Sequence, residues 1–175
     1  MNKENKAKVL IFWGLILAIT FLFVVLFIIR IVNTRLFESY EDIDKAKLNL
    51  VVDMTSEDGE YFVYVYSAKK DENGKLVDTP SCDVNKAADV LPVVLNYFNF
   101  IRRNQKKVET DSDVLKIYGY NVRNNANDSN LDSDHLDLEL SDLPALVKIT
   151  GGSGYTDKYT KANDIEKTLN EIMNK

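Results

Sequence analysis

The sequence predicts an α/β domain, a mixed sheet flanked by helices, preceded by an N-terminal transmembrane helix. Three observations lead to this fold class: a long uncharged run near the start, short segments rich in aromatic and β-branched residues, and two amphipathic helical segments. A chain of 175 residues is long enough for one such domain and an appendage.

The uncharged run covers residues 9–29, "VLIFWGLILAITFLFVVLFII". As a helix, this run spans roughly 30 Å, which is the thickness of a bilayer core. It is longer than the apolar part of a signal peptide, and no cleavage site of small residues follows it. We therefore expect an uncleaved single span after a short N-terminus at residues 1–8.

The charges that flank the span predict its orientation. Lys3, Lys6 and Lys8 precede it and Arg30, Arg35, Lys45 and Lys47 follow it, so the two flanks score nearly alike. The nearer charges and the free amino terminus favour a cytoplasmic N-terminus. We expect a single-pass plasma-membrane protein whose residues 31–175 lie outside the cytoplasm.

Residues 30–47 are charged, with apolar residues at loosely helical spacing, and predict a helical neck. The domain itself is expected at 48–175. It begins with two predicted strands, 48–54 and 61–67, followed by a polar loop that turns at Asn73-Gly74. The second strand, "YFVYVYS", has apolar or aromatic residues at both odd and even positions, which indicates a central strand buried on both faces.

A helix is predicted over residues 83–103, with Pro92 inside it, where a proline removes a backbone donor. Its apolar stripe is formed by Ala87, Val90, Leu91, Val94, Leu95, Phe98 and Ile101. Strands are predicted at 114–122 and 145–150, with a possible edge strand at 153–160. An amphipathic helix capped by Asn163 closes the chain.

The composition excludes several classes of function. A net charge of -5 argues against a nucleic-acid partner, which requires a basic surface. One cysteine excludes an internal disulfide, and the single histidine, His135, leaves zinc ligation or a catalytic triad poorly supplied. No phosphate-binding glycine loop is present, and we expect no cofactor.

Residues 128–139, "DSNLDSDHLDLE", resemble an EF-hand calcium loop. Oxygen donors stand at the matching positions, which are Asp128, Asn130, Asp132, Asp134 and Glu139. However, Ser133 replaces the glycine of the sharp turn and no predicted helix enters the loop. We expect no metal site, and calcium binding stays open as the alternative.

The order of the elements resembles the thioredoxin-like fold superfamily. In that family a central strand leads into C-x-x-C at a helix start, with a proline five residues after the second cysteine. A cis-proline precedes a later strand, with a glycine eight residues on. Pro92, Pro144 and Gly152 stand at these positions. The resemblance covers about residues 48–175 and implies a cis Leu143–Pro144 bond.

The chain departs from the family at the reactive centre. Counted back from Pro92, the two cysteine positions hold Val84 and Ala87, while Cys82 lies two residues earlier. The buried acid of the enzymes falls near Tyr64. Because dithiol exchange needs an attacking and a resolving thiol, we expect no catalytic residue here, with Cys82 as the alternative.

The resemblance also implies a peptide-binding groove beside the cis-proline. Val84, Ala87 and Pro144 would form its apolar floor, and the backbone of Leu143 would pair with an extended peptide. It further implies that the start of the helix is partly exposed.

These observations predict a membrane-anchored, extracytoplasmic domain that acts in protein binding or assembly without redox chemistry. Two alternatives remain open. The chain is a thiol–disulfide oxidoreductase or mixed-disulfide partner that uses Cys82, or it is an accessory subunit held in a membrane complex by its transmembrane helix. The sequence leaves the oligomeric state undetermined.

Overall fold

The computed structural model describes residues 3–34, 36–45, 59–80, 82–105, 108, 111, 113–123, 131, 136–151 and 154–175. The chain divides into two compact units, Met1–Leu36 and Phe37–Lys175. The predicted strand at 48–54 and most of the acidic loop at 128–139 lie outside the described residues.

The first unit contains helix α1, Lys3–Thr34. The structure describes its side chains over residues 12–28, and nearly all of them are exposed. Within the described part of the chain, the structure has no helix with both the length and the apolar character needed to cross a membrane.

The second unit holds all the strands described. Its helices are α2 (Tyr40–Lys45), α3 (Val84–Arg103) and α4 (Ala162–Met173), with a 3-10 turn at Leu140–Asp142. Its strands are β1 (Glu60–Tyr66), β2 (Ala68–Lys70), β3 (Leu76–Asp78), β4 (Lys116–Asn121), β5 (Ala145–Thr150) and β6 (Gly154–Tyr159).

Four strands form a mixed sheet in the order β4-β1-β5-β6. Strand β1 runs parallel to β4 and antiparallel to β5, and β5 runs antiparallel to β6. At the centre of the sheet, Val63 lies between Tyr118 and Val147. Every residue of β1 after Glu60 is buried, which confirms the predicted central strand.

Alternation along β1 divides the core into two clusters, one on each face of the sheet. Phe62, Tyr64 and Tyr66 face the cluster that contains residues of α2, α3 and α4. Tyr61, Val63 and Val65 face the other cluster. That cluster also contains Leu131, Leu136, Leu138 and Leu143, which precede β5 in the chain.

Helix α3 forms where the sequence predicts it. Asp83 is its N-cap, and its side-chain Oδ1 accepts a 3.1 Å hydrogen bond from the N–H of Lys86. The buried face consists of Ala87, Val90, Val93, Val94, Tyr97 and Phe98, and Pro92 lies exposed inside the helix. The stripe prediction is confirmed at Ala87, Val90, Val94 and Phe98.

The predicted neck at 30–47 takes a different form. Helix α1 ends at Thr34, and α2 belongs to the second unit. Tyr40 and Ile43 lie three residues apart, on one side of α2, and both are buried in the core. The second half of the predicted neck is therefore part of the globular unit.

The structure differs from the sequence predictions at two local features and agrees with them at a third. The segment predicted as a polar loop contains the hairpin β2–β3, which turns over Asp71–Lys75. Helix α4 has Lys161 as its N-cap, so the predicted cap at Asn163 is wrong by two residues. The Leu143–Pro144 bond is cis, as predicted.

Candidate functional site

Cys82 lies in the turn between β3 and α3, and its thiol is buried, with 6% of the residue exposed. The thiol donates to the carbonyl oxygen of Thr79 over 3.0 Å, with the carbonyl of Ser67 at 3.8 Å. The N–H of Cys82 donates to the same Thr79 oxygen. In these contacts the thiol is a hydrogen-bond donor, and its acceptors are backbone carbonyl oxygens.

Burial raises the pKa of the Cys82 thiol, and the nearby carboxylate of Asp78 raises it further. Both effects favour the neutral thiol and outweigh the hydrogen bonds with Thr79 and with the backbone of Cys82, which lower the pKa. Because the thiolate is the nucleophile, this environment suppresses attack on a disulfide.

A buried pair of hydroxyls supports the turn that carries Cys82. Ser67 Oγ and Thr79 Oγ1 share a 2.7 Å hydrogen bond, and the N–H of Thr79 donates to the carbonyl oxygen of Ser67 over 3.0 Å. These bonds join the end of β1 to the end of β3. The position of Cys82 is therefore fixed by the sheet.

The start of α3 is bonded to the segment before β5. The N–H of Asp83 donates to the carbonyl oxygen of Leu143 over 3.2 Å, and Lys86 Nζ donates to the carbonyl oxygen of Asp142. Burial lowers the pKa of Lys86, with the Asp142 and Asp83 carboxylates acting in the opposite direction. Lys86 thus connects the start of α3 to the segment before β5.

The structure brings the predicted groove residues to this junction and leaves few of them exposed. Val84 is 52% exposed, whereas the side chains of Ala87, Leu143 and Pro144 are buried. The expectation of a partly exposed helix start is right for Val84 and wrong for Ala87. Ala87 belongs to the apolar stripe and faces the core.

The backbone of Leu143 already has intramolecular partners. Its N–H donates to the carbonyl oxygen of Leu140 over 3.3 Å, and its carbonyl accepts from Asp83. A peptide that takes the N–H of Leu143 therefore has to displace the bond to Leu140, whereas the carbonyl oxygen has a second lone pair for a further donor. The pairing implied by the resemblance stays a prediction.

The described part of the acidic loop is engaged in contacts within the domain. Lys158 Nζ forms a 2.5 Å ion pair with Asp137, and the hydrogen bond and charge of Lys158 lower the pKa of that carboxyl. Glu139 and Asp142 form a reciprocal capping box around the 3-10 turn. Among the described residues, no group of acidic, histidine or cysteine side chains is placed to hold a metal ion.

An apolar groove of about 320 Å³ lies between α3 and β4, apart from Cys82. Its lining consists of Phe37, Phe98, Ile101, Arg102, Gln105, Ile117 and Tyr118. Sequence reasoning missed this surface because its walls come from three distant parts of the chain. Among the lining residues, only Phe98 and Ile101 were singled out from the sequence, as members of the apolar stripe of the helix.

No protein-family model matches the chain, and comparisons with curated proteins and with solved structures also found no match.

Proposed function

We propose that the chain is a membrane-anchored, thioredoxin-like domain outside the cytoplasm that binds a protein partner and performs no dithiol chemistry. One observation carries the non-redox part. The chain's single thiol, Cys82, is buried and donates to the carbonyl oxygen of Thr79, so no reactive pair is available.

The order of elements supports the thioredoxin-like assignment. Strand β1 leads by way of the β2–β3 hairpin to α3, which contains Pro92, and β4 follows. Leu143-Pro144 directly precedes β5, and β6 and the amphipathic α4 close the unit. Val84 and Ala87 occupy the first turn of α3, where the resemblance places the two cysteines.

The membrane anchor is proposed from the sequence of residues 9–29 and from the character of α1. Apart from Gly14 and Thr20, its described residues are apolar and nearly all are exposed, among them Phe12, Trp13, Leu17, Phe21 and Phe27. A helix that is apolar all round needs an apolar environment to cover it. The uncharged run extends beyond residues 12–28, for which side chains are described, at both ends.

Two measurements test the redox part of this proposal. The 175-residue chain is purified in detergent and assayed for reduction of insulin and for oxidation of a reduced peptide. We expect no turnover above background. Turnover that disappears in Cys82→Ser would replace the proposal with the alternative of a thiol enzyme.

A pull-down from detergent-solubilised membranes tests the binding part. We expect a partner that is recovered equally by the parent chain and by Cys82→Ser. A second variant, with residues 9–29 replaced by an unrelated apolar span, separates the alternatives. Loss of the partner in this variant alone would indicate an accessory subunit held through its transmembrane helix.

A further inference from the structure

Residues 37–45, which contain α2, are bound to the rest of the globular unit chiefly through side chains; we call this segment the strap. The backbone of its first residue, Phe37, is hydrogen-bonded to the side-chain amide of Asn99. The N–H of Phe37 donates to Asn99 Oδ1 over 2.7 Å, and Asn99 Nδ2 donates back to the Phe37 carbonyl oxygen over 3.0 Å. A single side chain of α3 thus satisfies both backbone groups of Phe37.

The strap is also bonded to the β2–β3 hairpin. The hydroxyl of Tyr40 donates to Asp78 Oδ1 over 2.6 Å, and the N–H of Leu76 donates to Glu41 Oε1 over 2.6 Å. Both acceptors are carboxylates, and hydrogen bonds to charged acceptors are stronger than neutral ones.

Apolar contacts complete the site beneath the strap. The ring of Tyr40 stacks on Tyr66 with centroids 4.8 Å apart. Ile43 is completely buried and lies against Gly119, where the absence of a side chain leaves room for it. Phe37 stacks on Phe98 at 5.0 Å.

The strap depends on this site for its order. Helix α2 has six residues, and isolated helices of that length are not stable in water. Within the helix, the N–H groups of Asp42 and Ile43 both donate hydrogen bonds to the carbonyl oxygen of Ser39. The site, in contrast, is built from the sheet, the hairpin and α3, which are joined by their own hydrogen bonds.

The site includes a buried hydroxyl that has no partner among the described residues. The hydroxyl of Tyr66 is buried beneath Tyr40 and forms no hydrogen bond to any residue that the structure describes. A buried hydroxyl without a partner is unfavourable, so the strap fills the site without satisfying all of it.

We propose that the strap is a releasable intramolecular ligand, which leaves its site while the sheet stays folded. Release uncovers Tyr66, Asp78, Asn99 and Gly119 as a site for an acidic segment with a tyrosine and an isoleucine three residues apart. This inference goes beyond the proposed function and depends neither on membrane insertion nor on the thioredoxin resemblance.

Hydrogen exchange of the 175-residue chain in detergent tests the release. The amides of Phe37, Asp42 and Ile43 report on the strap, and those of β1 report on global unfolding. After correction for intrinsic rates, we expect the strap amides to exchange roughly tenfold or more faster than those of β1.

Two matched variants connect this exchange to the strap. Tyr40→Phe removes its bond to Asp78 and should speed exchange of the strap by roughly another tenfold, with β1 unchanged. Tyr97→Phe removes a comparable buried bond, to the carbonyl of Leu115, and should leave the strap rate unchanged. Equal exchange of strap and β1, or equal acceleration of both by Tyr40→Phe, overturns the proposal.

Binding in trans tests the site itself. The probe is a fluorescent peptide of residues 36–45, LFESYEDIDK, added to the 175-residue chain with Ile43→Ala, a variant that weakens the resident strap. We expect saturable binding to this variant at least about tenfold tighter than to the parent chain.

A control peptide carrying Tyr40→Ala and Ile43→Ala should not bind. Equal binding of both peptides, or no binding by a variant whose β1 protection is intact, refutes the ligand site.

Discussion

The N–H of Asp83 donates a 3.2 Å hydrogen bond to the carbonyl oxygen of Leu143. This bond joins the start of α3 to the residue before the cis-proline. It occupies the carbonyl that the resemblance assigns to a bound peptide, while the Leu140 carbonyl occupies the N–H. A partner that pairs with Leu143 must therefore displace its N–H from Leu140 and share its carbonyl oxygen with Asp83, or use the exposed side chain of Val84 instead.

The different burial of Val84 and Ala87 gives a direct test of this geometry. Ala87→Asp places an uncompensated charge in the core and should lower the free energy of unfolding by about 3–5 kcal/mol. Val84→Asp adds the same charge to an exposed position at the start of the helix and should change it by less than about 0.5 kcal/mol. Urea unfolding of both variants makes the comparison. Equal stability of the two would contradict the burial of Ala87.

The thiol of Cys82 should react slowly. Because burial and Asp78 raise its pKa, labelling of the folded chain with a disulfide reagent at pH 8 should be roughly tenfold or more slower than in urea. The neutral thiol contributes stability that is present below the ordinary thiol pKa of about 8.5 and is lost as the pH rises through the folded value.

Cys82→Ser should flatten that loss of stability between neutral and alkaline pH, as measured by urea unfolding across the range. Fast labelling of the folded chain at neutral pH would show that the thiol is accessible and ionised.

Asp78 should give a pH dependence at the acidic end. Burial raises the pKa of its carboxyl, and the hydrogen bond from Tyr40 opposes that rise. The protonated form is therefore more favoured in the fold than in the unfolded chain. Its stabilisation is complete below the unfolded pKa of about 3.9 and is lost as the pH rises through the folded value.

Asp78→Asn keeps an acceptor for Tyr40 and carries no charge. It should change stability at pH 7 by less than about 1 kcal/mol, whereas Asp78→Ala should cost about 1–3 kcal/mol because it orphans the hydroxyl. Thermal unfolding at pH 4 and pH 7 measures both variants. An asparagine as destabilising as the alanine would mean that the charge itself holds Tyr40.

The contact between Gly119 and Ile43 predicts a non-additive pair. A β-carbon at position 119 would clash with the Ile43 side chain and lie 3.2 Å from its carbonyl oxygen. Gly119→Ala should therefore cost about 1–3 kcal/mol, and Ile43→Ala about 2–5 kcal/mol. The double variant should cost less than their sum, because truncation of Ile43 makes room for the new methyl.

Gly14→Ala is the control for a glycine-to-alanine change, since no atom beyond the adjacent helix backbone lies within 4 Å of that added carbon. Strict additivity of Gly119→Ala and Ile43→Ala in urea unfolding would argue against direct contact.

Much of the sheet could be predicted from local pattern. Strand β1 has apolar or aromatic residues at both odd and even positions and is buried on both faces. The apolar stripe predicted for α3 contains most of the residues that this helix buries. The resemblance located Pro144 and its cis bond. These features depend on residues close together in sequence.

The remaining features depend on contacts between distant residues. Strands β2 and β3 have three residues each, too few for alternation to show, and Lys69-Lys70 resembles a loop. The site of α2 depends on Asn99 and Gly119, which carry no local signal for it. The exposed helix start inferred from the resemblance conflicted with the stripe at Ala87, and the periodicity gave the correct answer.

The inclusion of residues 37–45 in the globular unit sets the boundary for producing that unit alone. A fragment begun at residue 48 would lack Ile43 and Tyr40 and would bare the aromatic surface around Tyr66. Contiguous apolar surface of that kind drives self-association at expression concentrations. A recombinant fragment begun at Leu36 keeps the aromatic cover intact, so moving the first codon by a dozen positions should reduce self-association of the fragment.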